Sequence, residues 1–216
     1  MEKGKTFWKL IGKLKKQKKL EVAVFYEEIP IKGVIEISDI DDTLEQIIWK
    51  GDKKILPALK ETRHIYFKLD GEIFILTVIA YDNREIATSF PSLALDKKLN
   101  RAYVRVKTSE SFPVKVEING TIFIAEDISE AGVGIITDED KAKVLVENEE
   151  YPLILYIQDS KIQAKGLIVY KKEVGKSIIK IGVKLTQIKM KDRDKIAKYI
   201  MERQREIAKK VSMFKL

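Results

Sequence analysis

The chain has 216 residues, of which 45% are hydrophobic, so it is long enough for one large domain or two small ones. It contains no cysteine, which excludes disulfides and thiolate metal sites, and its single histidine, His64, excludes histidine-cluster metal sites. A charged fraction of 34% without cysteine is typical of heat-adapted intracellular proteins. We find no nucleophile–base pair, paired carboxylates or metal cluster, and therefore expect a protein that is not an enzyme.

The net charge of +8 is concentrated at the start of the chain. Residues 1–20 hold eight lysines and one glutamate, which leaves a charge of only +1 for the other residues. This near-neutral body argues against a broad nucleic-acid surface. The longest apolar run, residues 73–81, is too short to span a bilayer as a helix, and the start lacks a signal-peptide pattern. We therefore expect a cytoplasmic protein.

The first predicted element is a helix over residues 6–19, because its apolar residues fall on one side of a helical wheel and lysines occupy most of the rest. This basic segment, residues 5–19, could contact a membrane surface or a partner. It could equally pack on the barrel of its own chain. The sequence leaves both alternatives open.

Strand patterns then follow in two sets, separated by the proline-led polar stretch at residues 91–100. Residues 41–49, within the first set, are ambiguous between a short helix and a turn. Asn119-Gly120, in the second, suits a type I′ hairpin. Predicted strands cover residues 21–27, 32–38, 63–69, 72–82 and 85–90, and then 102–107, 112–118, 121–126, 133–137, 142–147, 151–158, 163–172 and 177–185.

So many short antiparallel strands predict an all-β fold of two β-barrel-like domains, because closure removes exposed strand edges. The chain ends in a predicted amphipathic helix from about Asp192, which can cap it. We place the first domain at residues 1–98, with the basic helix, and the second at residues 99–216, with the C-terminal helix.

Five residues of the second domain form a two-part motif. Arg101 and Arg105 lie four residues apart where the linker enters a strand, and Asp127, Ser129 and Gly132 follow the strand that ends near residue 125. An arginine fork pairs with guanine O6 and N7 or with phosphate oxygens. A carboxylate accepts from the N–H donors of guanine, a serine hydroxyl donates or accepts, and a glycine allows close approach. Such a cluster suits a guanine nucleotide better than a bare phosphate.

Arg101-x-x-x-Arg105 followed by Asp127-x-Ser129-x-x-Gly132 resembles the signature of the PilZ domain, a family that binds the bacterial second messenger cyclic di-GMP. The resemblance covers residues 99–211 and includes a six-stranded barrel with a terminal helix. The preceding region resembles the N-terminal barrel of flagellar-brake (YcgR-type) PilZ proteins. Asn100 departs from the pattern, since many members carry a further arginine there, and the ligand stoichiometry therefore stays open.

The resemblance implies a cyclic di-GMP receptor without cofactor, in which both arginines, Asp127 and Ser129 bind the ligand and Gly132 leaves room for it. The implied output is a change in domain arrangement or partner contact, in motility, attachment or exopolysaccharide control. The implied partner is a protein of the flagellar motor or of the polysaccharide or attachment machinery, and the setting could extend to the inner membrane or flagellar basal body. Two alternatives remain: a PilZ-fold adaptor that binds only protein, and a small nucleic-acid-binding barrel.

Overall fold

The computed structural model describes residues 2–95 and 98–213, with side chains from residue 8 onward. This part of the chain forms two compact units. The first takes in the chain up to Tyr26, Pro30–Arg101 and the chain from Lys210 onward, and the second takes in Glu27–Ile29 and Ala102–Lys209. Each unit contains a closed barrel of six strands, which confirms the predicted all-β, two-barrel fold. Our boundary between residues 98 and 99 stays a prediction.

The first barrel is built from short strands with a buried apolar face, as the period-2 patterns predicted. A 3₁₀ turn at Leu56–Lys60 places Leu56, Ala58 and Leu59 in the interior. A two-residue strand, β7, is added outside the ring by pairing with β5. The strands are β1 (Lys19–Tyr26), β2 (Ile29–Asp41), β3 (Gln46–Lys50), β4 (His64–Leu69), β5 (Glu72–Tyr81), β6 (Glu85–Ser89) and β7 (Ser92–Leu93).

The N-terminal helix, α1, spans Glu2–Gln17 and packs on the first unit. Ile11 and Leu14 are each only 1% exposed, whereas Trp8 is 53% exposed. Lys13 also forms an ion pair with Asp70. Docking on its own barrel is therefore the alternative that the structure supports for residues 8–17.

The second barrel has one continuous core, formed by strands, a short helix and the C-terminal helix. Strand β8 pairs with β10 outside the ring, and α3 places Ile196, Tyr199 and Ile200 in the core. The elements are β8 (Arg105–Lys107), β9 (Val114–Ile118), β10 (Thr121–Ser129), β11 (Gly132–Asp138), α2 (Glu139–Ala142), β12 (Glu150–Ile157), β13 (Ser160–Gly175), β14 (Ile178–Ile188) and α3 (Met190–Met213).

Both barrels have the same cyclic order of strands. The first runs β1-β2-β3-β6-β5-β4 and closes between β4 and β1, and the second runs β9-β10-β11-β14-β13-β12 and closes between β12 and β9. All pairings with a determined register are antiparallel. In each barrel a short helical turn lies between the third and fourth strands. In both halves of the chain, closure of the six-strand ring therefore removes exposed strand edges in the same way.

Several local predictions can be compared with the structure. Asn119 and Gly120 both have positive φ, at +50° and +75°, and connect paired residues Ile118 and Thr121, which confirms the predicted hairpin. The ambiguous residues 41–49 form the end of β2, a turn and the start of β3.

Two local predictions were wrong. No strand forms at residues 142–147; instead, Asp138 caps α2 by accepting a hydrogen bond from the Lys141 amide at 2.8 Å. Of the apolar run that suggested the strand, Leu145 is buried but Val144 and Val146 are exposed. The last helix begins at Met190, so Asp192 lies in its first turn, rather than at the cap.

No helix within residues 2–95 and 98–213 combines the length and apolar character needed to cross a bilayer.

Candidate functional site

The second half of the predicted motif lies within the hairpin of β10 and β11, not after a strand end. Strand β10 continues through Asp127 to Ser129, which pairs with Gly132 across a two-residue turn. A β-bulge explains why the sequence suggested an earlier end: Ala125 pairs with Ile135 and Asp127 pairs with Gly134, so Glu126 is an extra residue.

The bulge directs two carboxylates to the outer face of the barrel. Ala125 and Ile128 both belong to the core, so the two residues between them, Glu126 and Asp127, share the opposite side. The backbone of the bulge is satisfied by Thr108, whose hydroxyl donates to the Ala125 carbonyl at 2.6 Å and whose amide donates to the Glu126 carbonyl at 2.9 Å. Strand β10 thus stays paired while its side chains change face.

Asp127 is the central acceptor of the candidate site. It is only 2% exposed, although it lies on the outer face of the sheet. The Arg105 guanidinium Nη1 lies 3.4 Å from Asp127 Oδ1. Within the described residues this Oδ1 atom accepts no hydrogen bond, so the Arg105 contact is an ion pair without hydrogen-bond geometry. A buried acceptor that lacks a hydrogen bond is uncommon and points to a ligand or a water.

Lys180, on β14, also belongs to this candidate cluster, and our sequence reasoning missed it. Its ammonium lies 2.5 Å from Glu126 Oε2 and 3.3 Å from Asp127 Oδ2, and therefore bridges the two carboxylates of the bulge. Burial alone would lower the pKa of Lys180, but pairing with Glu126 and Asp127 outweighs burial and raises this pKa above its ordinary value. No short motif connects residues more than 50 positions apart.

Glycines form the surface beneath these charges. A Cβ on Gly134 would lie 2.7 Å from both oxygens of Asp127, so only glycine lets the carboxylate lie over β11. Gly134 pairs with Gly182 on β14, and a Cβ there would lie 2.2 Å from the Tyr170 ring. Gly134 and Gly182 therefore form a glycine floor, on which the Asp127 carboxylate and the Tyr170 ring lie.

Ser129 and Gly132 have local roles in the hairpin. The Ser129 hydroxyl is buried and donates to the Gly132 carbonyl at 3.2 Å, which stabilises the turn. A Cβ on Gly132 would lie 2.4 Å from the Val183 carbonyl oxygen. The close approach of β14 is thus sufficient to explain this glycine, and its role in making room for a ligand stays a prediction.

The two arginines of the first half-motif fall in different units. Arg105 is the first residue of β8 and pairs with Ser129, whereas Arg101 is the last residue that the first unit takes in before Ala102. Arg101 follows a 3₁₀ turn at Lys98–Asn100, where its amide donates to the Lys98 carbonyl at 3.4 Å. The structure brings together Arg105, Asp127, Ser129 and Gly132 in the second unit.

A buried arginine on α3 holds the strand that carries Arg105. Arg203 is 3% exposed, and its Nε donates to the Lys107 carbonyl at 3.2 Å. Its Nη2 donates to Glu27 Oε2 at 2.8 Å, and the Glu27 carbonyl accepts from the Lys107 amide at 3.2 Å. A buried guanidinium needs such partners. We conclude that this network fixes the edge of β8 that does not pair with β10.

The second half of the chain matches a known protein family. Residues 99–202 match the family model described as the PilZ domain. An uncharacterized protein of Aquifex aeolicus (strain VF5) is 28% identical over 99% of this chain and 100% of its own length. A second uncharacterized protein of that organism is 27% identical over 76% of this chain and 81% of its own length.

Solved structures with a similar fold include YcgR from Escherichia coli in complex with c-di-GMP, at 13% identity and a TM-score of 0.47, covering 96% of this chain and 93% of that one. The K. pneumonia MrkH–c-di-GMP complex is 14% identical with a TM-score of 0.48, covering 93% of this chain and 94% of that one. The match to the PilZ domain thus covers the second barrel and the first half of α3.

Proposed function

We propose that this protein is a non-enzymatic receptor for cyclic di-GMP, which binds on the outer face of the second barrel over β8, β10 and β11. The observation that carries the proposal is the Asp127 carboxylate. It is buried over Gly134, is paired with Arg105, and has an Oδ1 atom without a hydrogen bond from the described residues. This atom occurs in a domain whose family resemblance implies a cyclic di-GMP site.

The chemistry of the cluster fits each part of such a ligand. The Asp127 carboxylate can accept from the N1–H and N2–H donors of guanine, which adenine lacks in that arrangement. Arg105 and Arg101 can pair with phosphate oxygens or with guanine O6 and N7. Gly134 lets the Asp127 carboxylate lie directly over β11, where it can meet a guanine edge.

We further propose that ligand binding changes the arrangement of the two units. Arg101 belongs to the first unit and Arg105 to the second, so a ligand that contacts both would restrict the connection between them. Ala94 and Leu99 pack on a cluster of the first unit, whereas Ala102, Tyr103 and Val104 are exposed. We therefore assign the hinge to residues 102–104. Ligand can shift the arrangement only by its differential affinity for the restricted state.

A protein-binding adaptor is the second candidate function. Ile122 and Ile124 are 55% and 61% exposed on the outer face of β10, where a protein partner could cover them. The family resemblance favours an output in motility, attachment or exopolysaccharide control for either function.

The deciding experiment is calorimetric titration of the full chain with cyclic di-GMP, GTP and a short single-stranded oligonucleotide. We expect binding of cyclic di-GMP alone, and we expect the double variant Arg101→Ala/Arg105→Ala to lose it. Saturable binding of the oligonucleotide instead would favour the nucleic-acid alternative. Binding of none of the three by folded protein would leave the adaptor and reject the receptor.

The inter-unit proposal has its own test, which the absence of cysteine makes simple. Spin labels at Lys68→Cys and Gln163→Cys, both exposed strand positions, report distances between the units. We expect a narrower distance distribution with saturating cyclic di-GMP than without it. Identical distributions at confirmed saturation would show that the signal is a local change of surface.

A further inference from the structure

We propose that Lys180 is a positioning residue for Asp127. It compensates the negative charge of Asp127, so that Arg105 can leave this carboxylate and bind the ligand. The inference rests on the proposed function, because it describes how the same site changes on cyclic di-GMP binding. Lys180 lies outside both half-motifs and is the third residue of β14.

The two oxygens of Asp127 are divided between two cations. Oδ2 lies 3.3 Å from the Lys180 ammonium, and Oδ1 lies 3.4 Å from Arg105 Nη1. The two cations differ in what else holds them. Lys180 is also bound by Glu126 at 2.5 Å, on a side chain that is only 25% exposed. Arg105 begins a three-residue strand after the exposed residues 102–104.

On binding, the phosphates of cyclic di-GMP would compete with Asp127 for Arg105. Removing one partner from a buried ion pair is strongly destabilising, because it leaves an uncompensated charge. With Lys180 on Oδ2, Asp127 keeps one cation when Arg105 turns to the ligand. The same contact fixes the carboxylate over Gly134, so that Oδ1 stays directed at the incoming guanine edge.

Glu126 helps to hold Lys180 beside Asp127. Its carboxylate draws the Lys180 ammonium toward the bulge, and Thr108 holds the bulge backbone in place. A lysine suits this position because its ammonium is a compact charge with three donors, enough to contact two carboxylates at once. The structure thus assigns Lys180 to the orientation of Asp127, without requiring that it touch the ligand.

The test compares Lys180→Met with Lys184→Met in the full chain. Lys184 lies on the same strand and is exposed, and the two variants change the net charge equally. Affinities for cyclic di-GMP and cyclic di-AMP are measured by calorimetry at one salt concentration, together with thermal unfolding. We expect Lys180→Met to bind cyclic di-GMP about tenfold more weakly, since it disturbs one charge-assisted contact. The loss for cyclic di-AMP should be smaller. Lys180→Arg should restore most of the affinity, and Lys184→Met should leave the preference between ligands unchanged.

The outcomes separate this inference from the proposed function. Failure of the wild-type protein to bind cyclic di-GMP would overturn both. Normal wild-type binding with an unchanged, folded Lys180→Met variant would overturn this inference alone, as would an equal effect of Lys184→Met. If Lys180→Met does not fold, Lys180→Gln replaces it, because its amide can still donate a hydrogen bond to Asp127. Its expected loss is intermediate, and wild-type affinity would contradict the inference.

Discussion

The two barrels share one strand order but differ in the chemistry of their outer faces. In both, the second strand carries a bulge against the third: Ser38 is the extra residue in β2, and Glu126 is the extra residue in β10. The five residues around each bulge correspond, with Ile37–Asp41 in the first barrel and Ala125–Ser129 in the second. Both stretches have an aspartate directly after the extra residue and an isoleucine after that.

What the two aspartates do is different. Asp39 is exposed and accepts a hydrogen bond from the next amide, that of Ile40, at 2.8 Å. Asp127 is buried and lies between Arg105 and Lys180. The residue opposite Asp39 is Ile48, whereas the residue opposite Asp127 is Gly134. An aspartate at this bulge therefore belongs to the shared fold and does not by itself indicate a site. The candidate site of the second barrel also depends on the glycine opposite Asp127 and on the two cations beside it.

Buried polar groups show the same contrast. In the first barrel, the buried Thr88 hydroxyl accepts from the Trp49 indole N–H at 2.9 Å, so that both groups are satisfied. In the second barrel, Asp127 Oδ1 is left without a hydrogen bond from the described residues. Satisfied groups stabilise a core, and an unsatisfied one costs free energy that a ligand can recover.

The largest effect on ligand affinity is expected when the buried carboxylate of the second barrel is removed. Asp127→Ala should weaken cyclic di-GMP binding by about 1.5–3 kcal/mol, the range for hydrogen bonds to charged groups. It should also reduce the preference over cyclic di-AMP. Calorimetric titration with both ligands checks this result, and Asp39→Ala is the matched variant in the first barrel. Unchanged affinity in folded Asp127→Ala would remove Asp127 from the site.

A change in the core of the first barrel should separate stability from binding. Thr88→Val leaves the buried Trp49 N–H without its acceptor and should lower the free energy of unfolding by about 1–3 kcal/mol. Urea denaturation measures this loss, and Thr88→Ser, which retains the hydroxyl, should lose less. Cyclic di-GMP affinity should stay at the wild-type value; a comparable loss of affinity would mean that the two barrels are coupled.

Giving the second barrel a side chain opposite its aspartate should weaken the site more mildly. In Gly134→Ala the new Cβ would lie 2.7 Å from the carboxylate oxygens, so Asp127 must rotate. An off-rotamer side chain costs about 0.5–1.5 kcal/mol, and we expect a loss of affinity of that size in titration. A variant with unchanged affinity would show that the orientation of Asp127 is not important for binding.

The smallest effect is expected where the first barrel imitates the motif. Asp39→Ala removes an exposed carboxylate and should change the free energy of unfolding by less than about 0.5 kcal/mol. Its cyclic di-GMP affinity should equal that of the wild-type protein. A clear loss would place ligand on the first barrel as well, and would end the distinction drawn between the two outer faces.

Much of the fold could be predicted because alternating apolar residues and turn residues such as Asn119-Gly120 are local signals. The run at residues 142–147 misled us, because its alternation reflects one buried leucine between exposed valines, beside a helix capped by Asp138. In the site, Asp127, Ser129 and Gly132 lie on one hairpin and were found as a motif. Lys180 and Gly182 are brought to it only by the pairing of β11 with β14, which no local pattern encodes.

The pairing of β11 with β14 also determines when the candidate site can be completed during synthesis. Strand β11 ends at Asp138, but its neighbour β14 begins only at Ile178, so the ring stays open until that strand has left the ribosome. Contacts between such distant residues form late because a long loop must first be closed. A nascent chain that already holds Arg105 and Asp127 still lacks Lys180 and half of the glycine floor. The complete candidate site can therefore assemble only after β14 has been synthesised.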